Sequence, residues 1–315
     1  MIPNVSEKIS AIIQPKKPAK RTEYQRDLSA PLDDLTPAQQ RVILSMAKYR
    51  YMTVKLFILA GVAESETTLR SRILYRLHKR LRGNLLQVKA FTGQVISERA
   101  GHIYALTNHG AAVAAELLGT DTDDIIYPKG GIKFKSDYEH RLSYIEFCIH
   151  MNKWASERIE RDILHMSHYY DETGSNRLGT IARSVNSFPH PKDNTRTLTP
   201  DGLFFLHTGT KRRALAMELH RTTDTGRVVE KLLLLAHLTQ SGVISKHLKH
   251  DAANFVLSVS QTPRAGELVR QRIMEEAGFR AYMPLFLFND METIRRDGFG
   301  KGWRTADGKE IEIFW

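Results

Sequence analysis

The chain has 315 residues, 42% of them hydrophobic and 26% charged, enough apolar material for a globular core. Its formal net charge of +11 favours a polyanionic partner, nucleic acid first among them, over a merely basic surface. Cys148 is the only cysteine, which excludes an internal disulfide and a thiolate-rich zinc site, and no run approaches the ~18 to 20 apolar residues of a membrane span.

The elements are read in chain order. Residues 1–33 carry Pro15, Pro18 and Pro31 among Lys16, Lys17, Lys20, Arg21 and Arg26, and read as a flexible basic arm. Such an arm either adds phosphate contacts or is a leader without a role. It lacks the continuous apolar run of a secretory signal, so the cytoplasm is the expected compartment. A compact domain is expected over 34–119. Thr36 and Pro37 open a helix to about Lys48, as N-cap and first helical residue. Tyr51–Thr53 is a short extended link, and Val54–Ala60 a short helix ended by Gly61. A third helix runs from Glu64 or Ser65 to about Leu81. Strands follow at Leu85–Ala90 and Gly101–Thr107, separated by a polar tip over 91–100, and the helix Asn108–Leu118 closes the unit. Three helices, a strand, a loop and a returning strand spell an α+β winged helix-turn-helix.

The third helix has two unlike faces. Leu69, Ile73, Leu74, Leu77 and Leu81 share one side, with Arg72, Arg76 and Lys79 roughly opposite. Thr68, Ser71, Tyr75 and Arg82 flank the basic stripe, and Glu66 is the one acid near it. A solvated helix face usually mixes charges of both signs. A helix seated in the major groove of double-stranded DNA needs an apolar back and Arg or Lys in front for phosphates and guanine edges. In the wing, Lys89, Arg99 and His102 are placed to touch the DNA backbone or minor groove.

Residues 120–135, with Asp121, Asp123, Asp124, Pro128, Gly130 and Gly131, read as a linker. A second domain over 136–315 starts with a helix from Ser136 to about Glu160 that carries Cys148 in its apolar stretch as a core residue. A polar region spans 171–197. Strands are expected at Gly202–His207, Arg213–His220, Asn254–Ser260 and Tyr282–Phe288, with helices at Gly226–Gln240 and Ala265–Glu276. This alternation implies an α/β layer fold.

Thr199-Pro200-Asp201 enters one strand of the expected hairpin, and Glu218 lies near the end of the other. An α/β restriction-endonuclease-like domain of the PD-(D/E)xK type places two acids this way. They hold a divalent metal, Mg or Mn, that activates water against a phosphodiester. A lysine normally stands two residues after the second acid. Here His220 stands there, as a metal ligand, a general acid or neither, and Lys231 on the next helix is the alternative source of positive charge. The plainer reading makes Asp201 a turn residue and Glu218 a strand-end charge. His140, near the start of the domain's first helix, reads as a cap or surface residue on its own.

Several stretches, in order, resemble replication-relaxation proteins. In the first half they are Leu35-Thr36-Pro37-Ala38-Gln39-Gln40-Arg41, Tyr49-Arg50-Tyr51-Met52-Thr53 and Tyr104-Ala105-Leu106-Thr107-Asn108-His109-Gly110. In the second half they are His140, Thr199-Pro200-Asp201-Gly202, Glu218 with Thr222-Thr223 and Lys231, and Val256–Ser260 with Arg264. The resemblance covers about 35–290. It implies a plasmid or mobile-element protein of replication or mobilisation, related to MobC-type relaxases that nick DNA with a nuclease-like site. It further implies Asp201 and Glu218 as metal-binding residues, His140 and Lys231 as assistants, and other relaxosome or replication proteins as partners. The family often has an acid where His220 stands, and some relatives only bind DNA. A non-enzymatic regulator or replication accessory protein is therefore the alternative.

Overall fold

A computed structural model describes residues 35–79, 84–90, 101–133, 137–173, 183–191, 193–221, 225–250 and 252–313. The basic arm, Arg82, Arg99, the tip over 91–100 and Thr222-Thr223 lie outside the described residues. The described chain falls into two compact units. One takes in the chain up to Ile58 together with Val62–Ile132; the other takes in Leu59–Gly61 and the chain from Lys133 onward.

In the first unit, α1 (Pro37–Tyr49) opens with a capping box. The Gln39 amide N–H donates to Thr36 Oγ1, and the Thr36 N–H donates to Gln39 Oε1 at 2.9 Å. Two of the helix's otherwise unpaired donors are satisfied in this way. Next come β1 (Met52–Thr53) and α2 (Val54–Leu59). The third helix, α3, is α-helical at Glu66–Thr68 and Tyr75–Lys79, but Leu69–Leu74 between them is π-helical. The 3.6-residue period of the sequence reading therefore does not hold along its whole length. Strands β2 (Leu86–Ala90) and β3 (His102–Leu106) pair antiparallel, and β1 adds to β3 in the order β1-β3-β2.

Helix α4 (Asn108–Leu118) is capped by Thr107 and stopped by Gly119 in the left-handed region. Its third residue, Gly110, must be small. A Cβ there would lie 2.0 Å from the Leu85 carbonyl oxygen. That carbonyl already accepts the Thr107 amide proton, so α4 packs directly on backbone at this point.

The second unit is built on a seven-stranded mixed sheet. Its strands are β4 (Arg161–His168), β9 (Gly202–Thr208), β10 (Lys211–His220), β11 (Ala253–Ser260), β12 (Phe286–Asp290), β13 (Trp303–Arg304) and β14 (Glu310–Ile311), in the spatial order β14-β13-β12-β11-β10-β9-β4. The pairs β10/β11 and β11/β12 are parallel and the other pairs antiparallel. Parallel neighbours need crossovers. Helix α6 (Thr225–Gln240), with the short α7 (Val243–Leu248), bridges β10 to β11, and α8 (Pro263–Glu275) bridges β11 to β12.

Side chains alternate across the strands. Leu203, Phe205, Ala214, Ala216 and Val256 face one way and form a buried cluster with Leu232 and Leu235 of α6 and Val269 and Ile273 of α8. Phe204 points to the other face, where Tyr144 and Phe147 of α5 (Tyr138–Ser156) pack on it at ring-centroid distances of 6.5 and 6.0 Å. Cys148 is fully buried in α5, as a core residue.

Three sequence expectations are corrected here. Helix α5 stops at Ser156, and β4 follows at the sheet edge in a stretch without an assignment. A register shift between Ile163 and His165 breaks the alternation that would mark that strand. The polar region holds two short antiparallel pairs, β5 (Glu172–Thr173) with β6 (Arg183–Ser184) and β7 (Phe188–His190) with β8 (Asp193–Leu198). The strand expected from Tyr282 starts only at Phe286, because Ala277–Leu285 is wound in 3-10 turns around Pro284. Helix α9 (Met291–Asp297) follows β12 directly, capped by Asp290. Among the described residues, no helix is long and apolar enough to cross a membrane.

Candidate functional site

Two regions carry chemistry, one in each unit. In the first, α3 buries Leu69, Ile73, Leu74 and Leu77 and exposes Thr68, Ser71, Arg72, Tyr75, Arg76 and Lys79. The π-helical turn thus leaves the two faces distinct. Arg70 is exposed as well, with its guanidinium 3.6 Å from Glu66. Arg72, Arg76 and Lys79 have no ion-pair partner among the described residues. Lys89, on β2, is exposed but tied down, its ammonium donating to the Ile132 carbonyl at 3.1 Å. His102 is exposed at the start of β3.

In the second unit, Asp201 and Glu218 face each other across the β9/β10 hairpin. Gly202 lies opposite Met217, where the paired register ends, and the Asp201 amide also donates to the Met217 carbonyl at 3.0 Å, which holds Asp201 beside the start of Glu218. Glu218 shares the strand face of Ala214 and Ala216, which lies under α6, and α6 therefore delivers Lys231 to it. The Lys231 ammonium stands 2.5 Å from Glu218 Oε1. From α5, His140 Nε2 lies 3.1 Å from Asp201 Oδ2 and 3.2 Å from the Leu219 carbonyl oxygen. The Leu219 N–H donates to the same Asp201 oxygen at 2.8 Å. His140, Asp201, Glu218 and Lys231 are thus brought together from three elements.

Asp201 and Glu218 are only 5% and 7% exposed, so their charges are felt strongly. Burial pushes the Asp201 carboxyl up, but Lys231, His140 and the Leu219 N–H together hold it below its usual range. Glu218 has less help. Burial and the neighbouring Asp201 push its carboxyl up to about 8, and Lys231 offsets this only in part. Burial works against the charge of His140, yet Asp201 and Glu218 outweigh it and hold the imidazole above its ordinary value. Lys231 is likewise raised, since Glu218 and Asp201 outweigh its burial.

His220 differs. Burial pushes it down to about 3, and its Nε2 lies 3.0 Å from Ser258 Oγ on β11. A ring held neutral by burial has no ready proton to give near neutrality, which speaks for a hydrogen-bonding role with Ser258 over a general-acid one. Lys231 supplies the positive charge that His220 does not.

Among the described residues, no cluster of three or more His, Cys, Asp or Glu side chains has the arrangement of a metal site. The donor set still suits a hard cation. Asp201 Oδ2 and the Leu219 carbonyl oxygen both face His140 Nε2, which stands between them, so a cation bound by these oxygens would take the place of that imidazole contact. Glu218 Oε2 is buried with no hydrogen-bond partner among the described residues. Two carboxylates and a backbone carbonyl fit Mg or Mn, ions that keep several water ligands.

Sequence reasoning missed Tyr169 and Asp137. The Tyr169 amide donates to the Asp201 carbonyl at 2.9 Å, continuing the β4/β9 pairing past His168. Its phenol oxygen lies 3.3 Å from His140 Nδ1 and donates to Asp137 Oδ2 at 3.1 Å. Asp137 is held in turn by Arg141, with Nη2 at 2.5 Å. Burial, with Asp137 adding to it, keeps the phenol protonated above its ordinary range. The signal that could have found Tyr169 is its place just past the end of a strand, but β4 itself carried no alternating pattern. Comparison with family models, with curated proteins and with solved structures returned no match.

Proposed function

We propose that this chain is a two-domain DNA-processing protein, in which a winged helix-turn-helix binds double-stranded DNA and a PD-(D/E)xK-type domain nicks it with a divalent metal. The observation that carries the reading is the convergence of Asp201, Glu218, Lys231 and His140 at the ends of paired strands. A phosphodiester is stable because its negative charge repels nucleophiles, so a site that cuts it must gather positive charge around the phosphorane. Asp201 and Glu218 would hold Mg or Mn with the Leu219 carbonyl. When bound, the ion supplies that charge. Lys231 adds a fixed positive charge beside Glu218, and His140 holds or moves a proton beside Asp201.

Duplex binding rests on α3. Arg72, Arg76 and Lys79 are exposed on the face opposite its apolar seat, without ion-pair partners among the described residues. Cations presented together on one helix face are what phosphates and guanine edges demand. The ordered motifs that resemble replication-relaxation proteins support a setting in plasmid replication or mobilisation, in the cytoplasm and alongside other relaxosome or replication proteins.

The test is nicking of a supercoiled plasmid carrying a duplex that the chain selects from a random library, with Mg or Mn. Asp201→Ala and Glu218→Ala should abolish nicking and keep the duplex shift. Absence of nicking with every divalent metal would overturn the enzymatic reading. One observation favours a second reading, a DNA-binding regulator that does not cut. Lys231 already engages Glu218 and His140 already engages Asp201, so both acids have partners within the chain.

A further inference from the structure

The end of the β9/β10 hairpin away from Asp201 holds a second polar cleft. A cavity of about 210 Å³ opens there, lined by Glu160 and Arg161, by the turn residues 208–211 and by Ile313. The strand register places Thr208 opposite Arg161 of β4 on one side and opposite Lys211 of β10 on the other. Directly opposed residues share a sheet face, on strands about 4.8 Å apart. Arg161, Thr208 and Lys211 therefore form a row across three strands, a hydroxyl between two cations.

The Thr208 hydroxyl is buried and has no hydrogen-bond partner among the described residues. A buried hydroxyl left unpaired is costly, and folded proteins seldom keep one without a use. Lys211 is exposed and has no ion-pair partner among the described residues. The Arg161 side chain is only 8% exposed and is locked in place. Its guanidinium lies 4.4 Å from the Trp154 ring centroid, and Nη1 donates to the Trp154 carbonyl at 3.0 Å. Burial, and then Arg158, pull Arg161 below its ordinary value, and Glu157, Glu160 and Glu312 offset this only in part. Glu160, the one acid lining the cavity, already stands 3.7 Å from Arg158. The space over the turn is open, since a Cβ added at Gly209 would meet nothing within 4 Å.

We propose that this cleft is a phosphate-binding site, in which Lys211 and the Thr208 hydroxyl donate to the phosphate oxygens and Arg161 supplies a fixed positive charge beside them. A phosphate oxygen accepts from an ammonium and from a hydroxyl alike, so one ligand satisfies both groups. Asp201 stands at the other end of β9, roughly 20 Å away by strand rise, so the cleft is separate from the metal-binding residues. Its occupant is a backbone phosphate of DNA or the phosphate of a small molecule, and the chemistry that recognises either is the same. The cleft needs neither α3 nor DNA cutting in order to be filled.

The test titrates inorganic phosphate into the full chain by calorimetry, with sodium chloride holding the ionic strength constant. Wild type should bind with a dissociation constant below roughly 10 mM. Lys211→Ala should weaken binding about ten-fold or more, the effect of losing a charged hydrogen bond. Thr208→Val should weaken it about three-fold or more. Both variants should keep the wild-type melting temperature, since neither side chain has a polar partner to lose within the described fold. A second arm titrates a short duplex into the chain carrying Arg72→Ala, Arg76→Ala and Lys79→Ala, with and without Lys211→Ala. Weaker binding of both ligands would assign a nucleic-acid backbone phosphate to the cleft, and weaker binding of inorganic phosphate alone a small phosphate compound. No phosphate binding by wild type, or equal binding by wild type and either variant, would overturn the site, whatever the nicking assay shows.

Discussion

Lys231→Met tests the electrostatics of the site without reference to any substrate. The Lys231 ammonium is the partner of Glu218 Oε1, and Glu218 Oε2 has none among the described residues. Burial and Asp201 raise the Glu218 carboxyl to about 8. Its raised value favours the protonated form in the folded chain. The stability this contributes is present below the ordinary carboxyl range near 4.5 and is lost as pH rises toward 8. Ionising Glu218 in the folded chain therefore costs on the order of 5 kcal/mol.

At about pH 6.5 the carboxyl is protonated with or without the lysine, and Lys231→Met should cost only about 1 kcal/mol for the missing hydrogen bond. Above about pH 8 the wild-type carboxylate keeps its ammonium and the variant's does not. The penalty should then grow by about 1.4 kcal/mol per pH unit toward about 3 to 5 kcal/mol. Urea unfolding at about pH 6.5 and about pH 9.5 measures both, with Glu218→Gln/Lys231→Met as the control that removes the carboxylate. A penalty equal at the two pH values would refute the reasoning. So would a double variant as unstable at high pH as Lys231→Met alone.

Replacing Arg72, Arg76 and Lys79 together by Ala removes no ion pair among the described residues, so unfolding stability should move by no more than about 0.5 kcal/mol per site. Duplex affinity should fall, and its logarithmic salt dependence should flatten by about 0.9 for each phosphate that is no longer neutralised. Fluorescence anisotropy across a salt series measures both, and an unchanged slope would remove α3 from the interface. Gly202→Ala should destabilise the second unit by about 1 to 3 kcal/mol in thermal unfolding, since overpacking forces its neighbours to move. The new Cβ would meet the Tyr144 hydroxyl at 2.5 Å and the Phe204 ring at 2.6 Å. A neutral result would mean that the chain entering β9 gives way freely next to Asp201.

Legibility in the sequence followed the physics that sets each element. Helix α1 was readable because Thr36 and Pro37 are local signals that need no tertiary partner. Strands β9, β10 and β11 were readable because both their faces are covered and their apolar runs are dense. Strand β4 was not, since it is an edge strand with a register shift and exposed residues such as Leu164 and His165. Asp201 and Glu218 could be named from a hairpin pattern, and Lys231 from its helix. That His140 touches Asp201, and that Tyr169 touches His140, depends on how α5 and the end of β4 pack on the sheet. No spacing along the chain encodes that arrangement. The π-helical turn in α3 was also hidden, because Leu69, Ile73, Leu74 and Leu77 satisfy an ordinary helical period well enough.

The buried side of α3 fixes its phase beyond that turn while its outer surface stays free to change. A π turn is equivalent to one residue inserted into an α-helix, so deleting one residue within Leu69–Leu74 would return the turn to α-helix with the flanking faces kept in phase. Deleting Tyr75, in the α-helical part, would instead rotate everything beyond it by about 100° around the axis. Leu77, fully buried, would swing toward solvent, and Arg76 and Lys79 would swing with it. The core thus fixes the phase of the helix against insertions and deletions. Thr68, Ser71, Arg72, Tyr75, Arg76 and Lys79 carry no such obligation. Point substitution at those six positions therefore changes the chemistry of the exposed face while the scaffold beneath it stays the same.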